Sequence, residues 1–223
     1  GDDLAAIIVS PFKHDVFVDQ EWPTEEFARA ARQLCDKKEA ALILDDVRCA
    51  FRFTLGSTWE TIDVLPDLCA MSKSIANGYS LAAITGNNKF REGASQIYTT
   101  GSFWFASTSF AASLATIAAV EEEGAIEAMQ TAGDALRKGL DEQARSHGFT
   151  LRQSGPSQMP LVLFEDDDLW QKNNTFFAEA AQRGVYLHPW HNMFVCAAHG
   201  EADIAEALAR TDGAFAALKR EFG

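Results

Sequence analysis

The stretch LCAMSKSIANGYS, residues 68–80, decides the fold: an apolar run ends on a single lysine. A short apolar run without polar alternation predicts a strand that is buried on both faces of a sheet. Burial of an unpaired ammonium group is costly, so a lysine in this position needs an explanation. Lys73 is interpreted either as a reactive amine at the strand end or as an ordinary surface lysine.

The segments around this stretch repeat the pattern. Residues 4–12 (LAAIIVSPF) and residues 41–46 (ALILDD) are also apolar runs, and residues 81–85 (LAAIT) predict a fourth strand. Continuous apolar strands joined by long connections are typical of a parallel sheet that is covered on both faces. The sequence therefore predicts an α/β fold.

A helix is predicted between the first two strands, beginning at PTEE, residues 23–26. Thr24 is the expected N-cap, and two acidic residues occupy the first turn, where the helix dipole favours them. Phe27, Ala31 and Leu34 are spaced so that they share one helical face. These three residues are therefore expected to face the sheet.

From residue 107 onward the sequence pattern changes from apolar strand-like runs to Ala-rich helical segments. It predicts two helices after residue 107, the second ending near Gly148, where a glycine cap is expected. Strands are predicted at FTLRQ, MPLVLFED, VYLHP and MFVCAAH, with a helix at NNTFFAEAAQRG and a last helix from Glu201. We expect two domains: residues 1–120 form part of a large α/β domain, and residues 121–223 form a small α+β domain.

Net charge and cysteine spacing exclude several classes of partner and site. The chain carries 32 acidic against 19 basic residues, a net charge of -13, and shows no cluster of Lys or Arg. This argues against nucleic-acid or membrane partners, and no signal peptide or membrane span is expected. Four widely spaced cysteines predict reduced thiols in a cytoplasmic protein. The spacing of His188, His191 and His199 fits no metal site, and none is predicted.

Two ionisable elements end neighbouring predicted strands. Asp45 and Asp46 end one strand, and Lys73 follows another. Ligands bind beyond the carboxyl ends of parallel strands, so these groups are expected to converge. A lysine and a carboxylate suit Schiff-base chemistry with pyridoxal 5'-phosphate (PLP): the amine attacks an aldehyde, and the carboxylate keeps the pyridine nitrogen protonated. An unrelated capping aspartate beside a surface lysine would give the same pattern.

The runs ALILDDVRCAFR and WETIDVLPDLCAMSKSIANGYSLAAITG, residues 41–52 and 59–86, resemble the class III aminotransferases of PLP fold type I. The glutamate-1-semialdehyde aminomutase branch is the most similar. That family has Asp-Glu-Val, Gly-Phe-Arg, Pro-Asp-Leu before a strand, then Gly-Lys or Ser-Lys and a glycine-rich turn. Residues 101–117 and 184–204 resemble later family segments.

The resemblance implies a role for each matching residue. Asp45 would bind the pyridine nitrogen of PLP, and Val47 would pack against the ring. Lys73 would form the Schiff base and then move the proton. Ser102 would contact the cofactor phosphate of the neighbouring subunit in a homodimer. The implied function is an aminotransferase or aminomutase acting on an amine or amino acid and a carbonyl partner; a racemase of the same fold and a catalytically silent half-subunit remain open.

Departures from the family pattern concern the substrate and the extent of the chain. Asp46 replaces the usual Glu, and Trp-Phe-Ala-Ser, residues 104–107, replaces a Ser-Gly-Asn-Pro segment, which leaves an aromatic stretch at residues 103–105. These aromatic residues either line an apolar pocket or pack internally. The resemblance begins in the middle of the large domain of the family. The chain is therefore expected to be the second half of the fold, with the N-terminal half and its phosphate-binding loop in the same or a second chain.

Overall fold

The computed structural model describes residues 3–223, which divide into two units. The first unit contains the chain up to Phe12 together with Trp22–Ile126, and the second contains Lys13–Glu21 together with Glu127–Gly223. The sequence did not predict that a short early segment belongs with the second half. The predicted domain boundary at residue 120 stays a prediction.

The first unit is built on a four-stranded sheet, ordered β1-β2-β3-β4. β1 (Ala6–Val9), β2 (Ala41–Asp45) and β3 (Leu68–Met71) are parallel, whereas β4 (Ala83–Gly86) is antiparallel to β3. A parallel return needs a crossover of a dozen or more residues, usually a helix. Residues 72–82 form only a 3₁₀ turn and a loop, so the chain returns in the opposite direction.

The predicted helix between β1 and β2 is confirmed as α1 (Glu25–Lys37), and Thr24 caps it by accepting a hydrogen bond from the Phe27 N–H at 3.1 Å. The predicted apolar face is confirmed for Ala31 and wrong for Phe27 and Leu34. Ala28, Ala31 and Cys35 are buried, while Phe27 and Leu34 are 51% and 43% exposed. Small side chains allow α1 to approach β1 and β2 closely, so the helix is rotated from the expected face.

The remaining elements of the first unit lie at both ends of the sheet, because β4 returns the chain to the amino ends of β2 and β3. Two 3₁₀ helices, Thr58–Ile62 and Lys73–Ala76, follow β2 and β3 respectively. After β4 come the 3₁₀ helix Asn88–Phe90, α2 (Arg91–Ser95) and α3 (Ser107–Glu122). α3 packs against the turn Lys73–Ala76, so this turn is held from the side by a long helix.

The second unit contains α4 (Ala125–His147), β5 (Leu151–Ser154), β6 (Leu161–Phe164), α5 (Gln171–Gln182) and α6 (Glu201–Phe222). α4 ends as predicted before Gly148, whose φ of +88° suits a glycine. β5 and β6 are antiparallel, and α5 packs on α6. The ring centroids of Phe176 and Phe215 lie 4.3 Å apart in the centre of this core.

The two strands predicted within residues 185–199 are wrong, because residues 185–200 form a loop. Met193 and Val195 donate backbone hydrogen bonds to Pro160 and Gln158, but no ladder develops. Pro160 has no N–H with which to return a bond, which interrupts any pairing at this point. Within residues 3–223, every helix is too short or too polar to span a membrane.

The early segment of the second unit, Lys13–Glu21, is held by Gln20. Its backbone N–H donates to the Ser154 hydroxyl at 2.9 Å, and its side-chain amide donates to the Met159 carbonyl at 2.8 Å. Phe17 stacks on Trp190 with ring centroids 5.3 Å apart. These contacts join residues far apart in sequence, which is why local patterns did not indicate them.

Candidate active site

Asp45 is the last residue of β2, at the carboxyl end of the sheet, and it is half-buried. Its Oδ1 accepts a hydrogen bond from the Val47 N–H at 3.2 Å. Its Oδ2 accepts no hydrogen bond from any residue between 3 and 223. One oxygen is therefore oriented by the backbone, and the other can accept a proton-bearing nitrogen of a ligand.

Lys73 begins the 3₁₀ helix that follows β3, and its side chain is exposed. Lys73 avoids the cost of burying an ammonium group because it lies beyond the end of β3, in the exposed turn that follows the sheet. The φ of Lys73 is +52°, a left-handed conformation that costs a residue other than glycine about 1 kcal/mol. The Ser72 hydroxyl stabilises this turn by donating to the Leu81 carbonyl at 2.8 Å.

Asp45 and Lys73 lie at the same edge of the sheet. β2 and β3 are adjacent and parallel, and Asp45 pairs in register with Ala70, three residues before Lys73. Adjacent strands are about 4.8 Å apart, so the two groups emerge beside each other. A carboxylate with one unused oxygen and an amine on an adjoining turn form a donor set that fits the pyridine ring and aldehyde of PLP.

The other two predicted residues are placed differently. Val47 follows β2 and is half-buried, and its N–H orients the Asp45 carboxylate. Ser102 lies in an exposed turn just before α3. None of the described contacts joins Ser102 to Asp45, Val47 or Lys73. Ala76, in the turn that follows Lys73, is fully buried in the core.

Sequence reasoning missed the role of Asp46, which is completely buried. Its Oδ2 accepts hydrogen bonds from the Thr58 N–H at 2.8 Å and the Cys69 thiol at 3.3 Å, and its Oδ1 accepts from the Thr58 hydroxyl. Burial raises the pKa of Asp46, against the lowering effect of these bonds. The available signal was the second acid of the pair, but only the structure shows which acid is enclosed.

Two thiols near this edge, those of Cys49 and Cys69, are buried. Burial raises the pKa of Cys49 to about 12 and raises the pKa of Cys69 still further, with the negative charge of Asp46 adding to both shifts. Cys35 is also buried, whereas Cys196 is exposed, and all four are free cysteines. The prediction of reduced, mostly buried thiols is confirmed. Lys73, in contrast, presents an exposed amine beside this edge.

A groove of about 540 Å³ lies in the second unit and is lined only by residues of that unit. His188, His191 and His199 line it, and burial, followed by the charge of His191, lowers the pKa of His188. Within residues 3–223 no cluster of His, Cys, Asp and Glu is arranged to bind a metal ion. The groove contains none of the residues predicted to bind PLP.

The chain is similar in sequence to known aminotransferases and aminomutases. The profile of the family described as "Aminotransferase class-III" matches residues 1–204. An aminopentol aminotransferase of Sphingopyxis macrogoltabida is 43% identical over 220 residues, covering 99% of this chain and 52% of that protein. A glutamate-1-semialdehyde 2,1-aminomutase of Dechloromonas aromatica (strain RCB) is 32% identical, covering 98% of this chain and 54% of that protein.

Solved structures show the same fold. The PLP internal aldimine form of the FumI protein of Sphingopyxis sp. MTA144 superposes with a TM-score of 0.97 at 43% identity, over 99% of this chain and 53% of that one. A transaminase with PLP bound superposes with a TM-score of 0.83 at 18% identity, which supports the fold alone. The predicted α/β fold of PLP fold type I is confirmed. The chain spans about half the length of the relatives it matches.

Proposed function

Because the chain belongs to the class III aminotransferase family, we propose that it carries the reacting lysine of a PLP-dependent aminotransferase or aminomutase. The observation that carries this proposal is the placement of Asp45 and Lys73 at one edge of adjacent parallel strands. The chain spans about half of its relatives, so the activity is proposed for its assembly with the complementary half of the fold.

Each residue has a defined task in this proposal. When bound, PLP supplies an electron sink that stabilises negative charge on the substrate carbon. Lys73 binds the cofactor through its amine and, once released, carries the proton that leaves and re-enters the substrate. Asp45 accepts the proton-bearing ring nitrogen at Oδ2 while the Val47 N–H holds Oδ1. Val47 also packs against one face of the ring.

Exposed apolar surface supports the complementary half and a homodimer. Ile8 on β1 and Ile84 on β4 are 64% and 76% exposed, which is unusual for large side chains on the outer strands of a sheet. Tyr98, Phe103 and Phe105, on either side of Ser102, are 84–87% exposed. We propose that these surfaces are covered by the other half of the fold and by a second subunit, whose cofactor phosphate contacts Ser102.

The substrate is proposed to be a primary amine without a carboxylate close to the amino group. The relative at 43% identity is named for aminopentol, an amino alcohol. Residues 184–204 contain no arginine, the side chain that binds carboxylates bidentately. An amino alcohol with a carbonyl acceptor is therefore the first pair to assay. The free thiols support the further proposal of a cytoplasmic location.

The proposal is tested by attachment of the cofactor. The chain assembled with its complementary half should bind PLP with a visible absorption band, and borohydride should attach the cofactor to the peptide that contains Lys73. Lys73→Ala should abolish the band and turnover, whereas Lys37→Ala, at an exposed lysine near the end of α1, should change neither.

Three results would contradict the proposal. Attachment of PLP to any other lysine would show that Lys73 is not the reacting residue. Loss of substrate chirality without a carbonyl acceptor would indicate a racemase instead of a transaminase. The 223-residue chain alone should retain no PLP, and stoichiometric binding by that chain would contradict the need for a complementary half.

A further inference from the structure

Asp46 is a buried carboxylate that the proposed chemistry does not use. It is 0% exposed and accepts hydrogen bonds from Thr58 and Cys69, and we call these three residues the Asp46 network. These donors are neutral, and no ion pair with Asp46 exists among residues 3–223. The Thr58 N–H and the Cys69 thiol both point at Oδ2, which accepts from them, and burial raises the pKa of Asp46 against the lowering effect of these bonds. A buried charge held without a cation is costly to maintain and calls for a reason.

The Asp46 network spans the carboxyl ends of three strands. Asp46 follows β2 directly, and Cys69 lies in β3, four residues before Lys73. Thr58 begins the 3₁₀ helix whose next residue, the buried Trp59, donates through Nε1 to the Pro11 carbonyl beyond β1 at 2.8 Å. The side chain of Asp46 therefore connects the strand that ends in Asp45 with the strand that leads to Lys73.

The backbone of Asp46 fixes the same corner. Its carbonyl accepts hydrogen bonds from the Cys49 N–H at 3.0 Å and the Ala50 N–H at 2.9 Å, which close the turn after β2. Val47, whose N–H orients the Asp45 carboxylate, lies inside this turn. Movement of Asp46 would therefore disturb both Asp45 and the β2–β3 spacing.

We propose that Asp46 is a positioning residue that sets the separation of Asp45 and Lys73 through its bonds to Thr58 and Cys69. The inference rests on the proposed function, because it concerns the two groups assigned to PLP. Asp46 itself touches neither cofactor nor substrate. Its negative charge lies one residue from Asp45 and so also contributes to the potential at the cofactor.

The test compares Asp46→Asn with Asp67→Asn, a change at the other end of the same strands. The Asp46→Asn side chain is isosteric but neutral, and only one of its two terminal atoms can still accept a hydrogen bond from Thr58 or Cys69. In the PLP-loaded protein it should lower kcat roughly 10-fold or more with little change in KM, since small misplacements of reacting groups cost up to about 10²-fold. It should also lower the pH midpoint of the visible band by roughly half a unit or more, because a negative charge is lost.

The titratable groups around Asp46 should not change the pH midpoint of the visible band in the same way. Burial keeps the pKa of the neighbouring thiols of Cys49 and Cys69 far above neutral pH. The charged side chains that act on the same thiols, Asp45, Arg48, Arg52 and Glu60, are unchanged in Asp46→Asn. Asp67→Asn should lower thermal stability more than Asp46→Asn does, yet leave kcat and the band midpoint unchanged. A purely structural role for Asp46 would give the Asp67→Asn result at both positions.

The outcomes separate the inference from the proposed function. Wild-type protein without a PLP band would overturn both. A normal wild-type band with kcat and midpoint unchanged in Asp46→Asn would overturn the inference alone. If Asp46→Asn does not fold, Thr58→Val, which keeps the charge and removes one donor, should lower kcat several-fold. An unchanged kcat in a folded Thr58→Val protein would also overturn the inference.

Discussion

Asp46 and Asp67 are both buried carboxylates of the first unit, but they lie at opposite ends of the same strands. Asp67 precedes β3 and accepts hydrogen bonds at 2.8 Å from the Leu42 N–H, the Asn87 amide and the Arg32 guanidinium. Burial alone would raise the pKa of Asp67, but these bonds outweigh it and lower the pKa. Asp46 receives neutral donors only, and burial leaves its pKa raised.

This difference shows that the carboxylate at the amino ends of the strands stabilises the fold, whereas the carboxylate at the carboxyl ends lies beside the candidate active site. At the amino ends, the charge of Asp67 is balanced by Arg32, which also pairs with Asp36 at 2.7 Å. At the carboxyl ends, the charge of Asp46 is not balanced by a cation among residues 3–223, and the candidate groups Asp45 and Lys73 are adjacent. Two carboxylates at the end of β2, Asp45 and Asp46, suit a ligand whose ring nitrogen bears a proton.

The largest expected effect is at the amino end. Asp67→Asn should lower the free energy of unfolding of the assembled protein by about 3–5 kcal/mol, because it leaves the partly buried Arg32 without its buried partner. Urea unfolding measures this loss. Asp36→Asn removes only the exposed partner of the same arginine and should cost less than about 1 kcal/mol. Equal losses in the two variants would contradict the structural assignment of Asp67.

The second effect is at the carboxyl end and concerns turnover. Asp45→Asn should retain PLP and change the free energy of unfolding by less than about 0.5 kcal/mol, since the side chain is only half-buried. Turnover should fall by about 10²-fold or more, because a ring nitrogen without an anion is not kept protonated. Steady-state kinetics and a PLP titration measure both. Full activity would show that Asp45 is the wrong carboxylate.

The smallest expected effect is a difference in how Asp67 and Asp46 make the stability of the protein depend on pH. Asp67, with its lowered pKa, contributes stability that is present above its unfolded pKa of about 3.9 and is lost as pH falls through the folded value. Asp46, with its raised pKa, contributes stability that is present below about pH 3.9 and is lost as pH rises through the folded value.

Urea unfolding of the wild type, Asp67→Asn and Asp46→Asn between pH 3 and 7 tests these opposite signs. The stability advantage of the wild type over Asp67→Asn should shrink below about pH 4. The difference between the wild type and Asp46→Asn should shift in favour of the wild type as pH falls from 7 toward 4. The same pH trend for both variants would show that the two carboxylates do not differ in their environments.

Local signals were sufficient for the elements that carry the candidate site. The apolar runs predicted β2 and β3, and their order placed Asp45 and Lys73 at strand ends before any contact was known. Thr24 capped α1 and Gly148 ended α4 as predicted. Capping, helix termination and strand periodicity depend on residues within one turn or one strand, so the sequence contains them directly.

Only the tertiary structure decided the features that depend on distant partners. These include the antiparallel direction of β4, the buried face of α1, the loop at residues 185–200 and the place of Lys13–Glu21 in the second unit. The two acids after β2 are the clearest case. By itself the sequence determined that a carboxylate pair ends β2. Thr58 and Cys69, 12 and 23 residues after Asp46, form hydrogen bonds that enclose Asp46, so Asp45 is the carboxylate that remains available to a ligand.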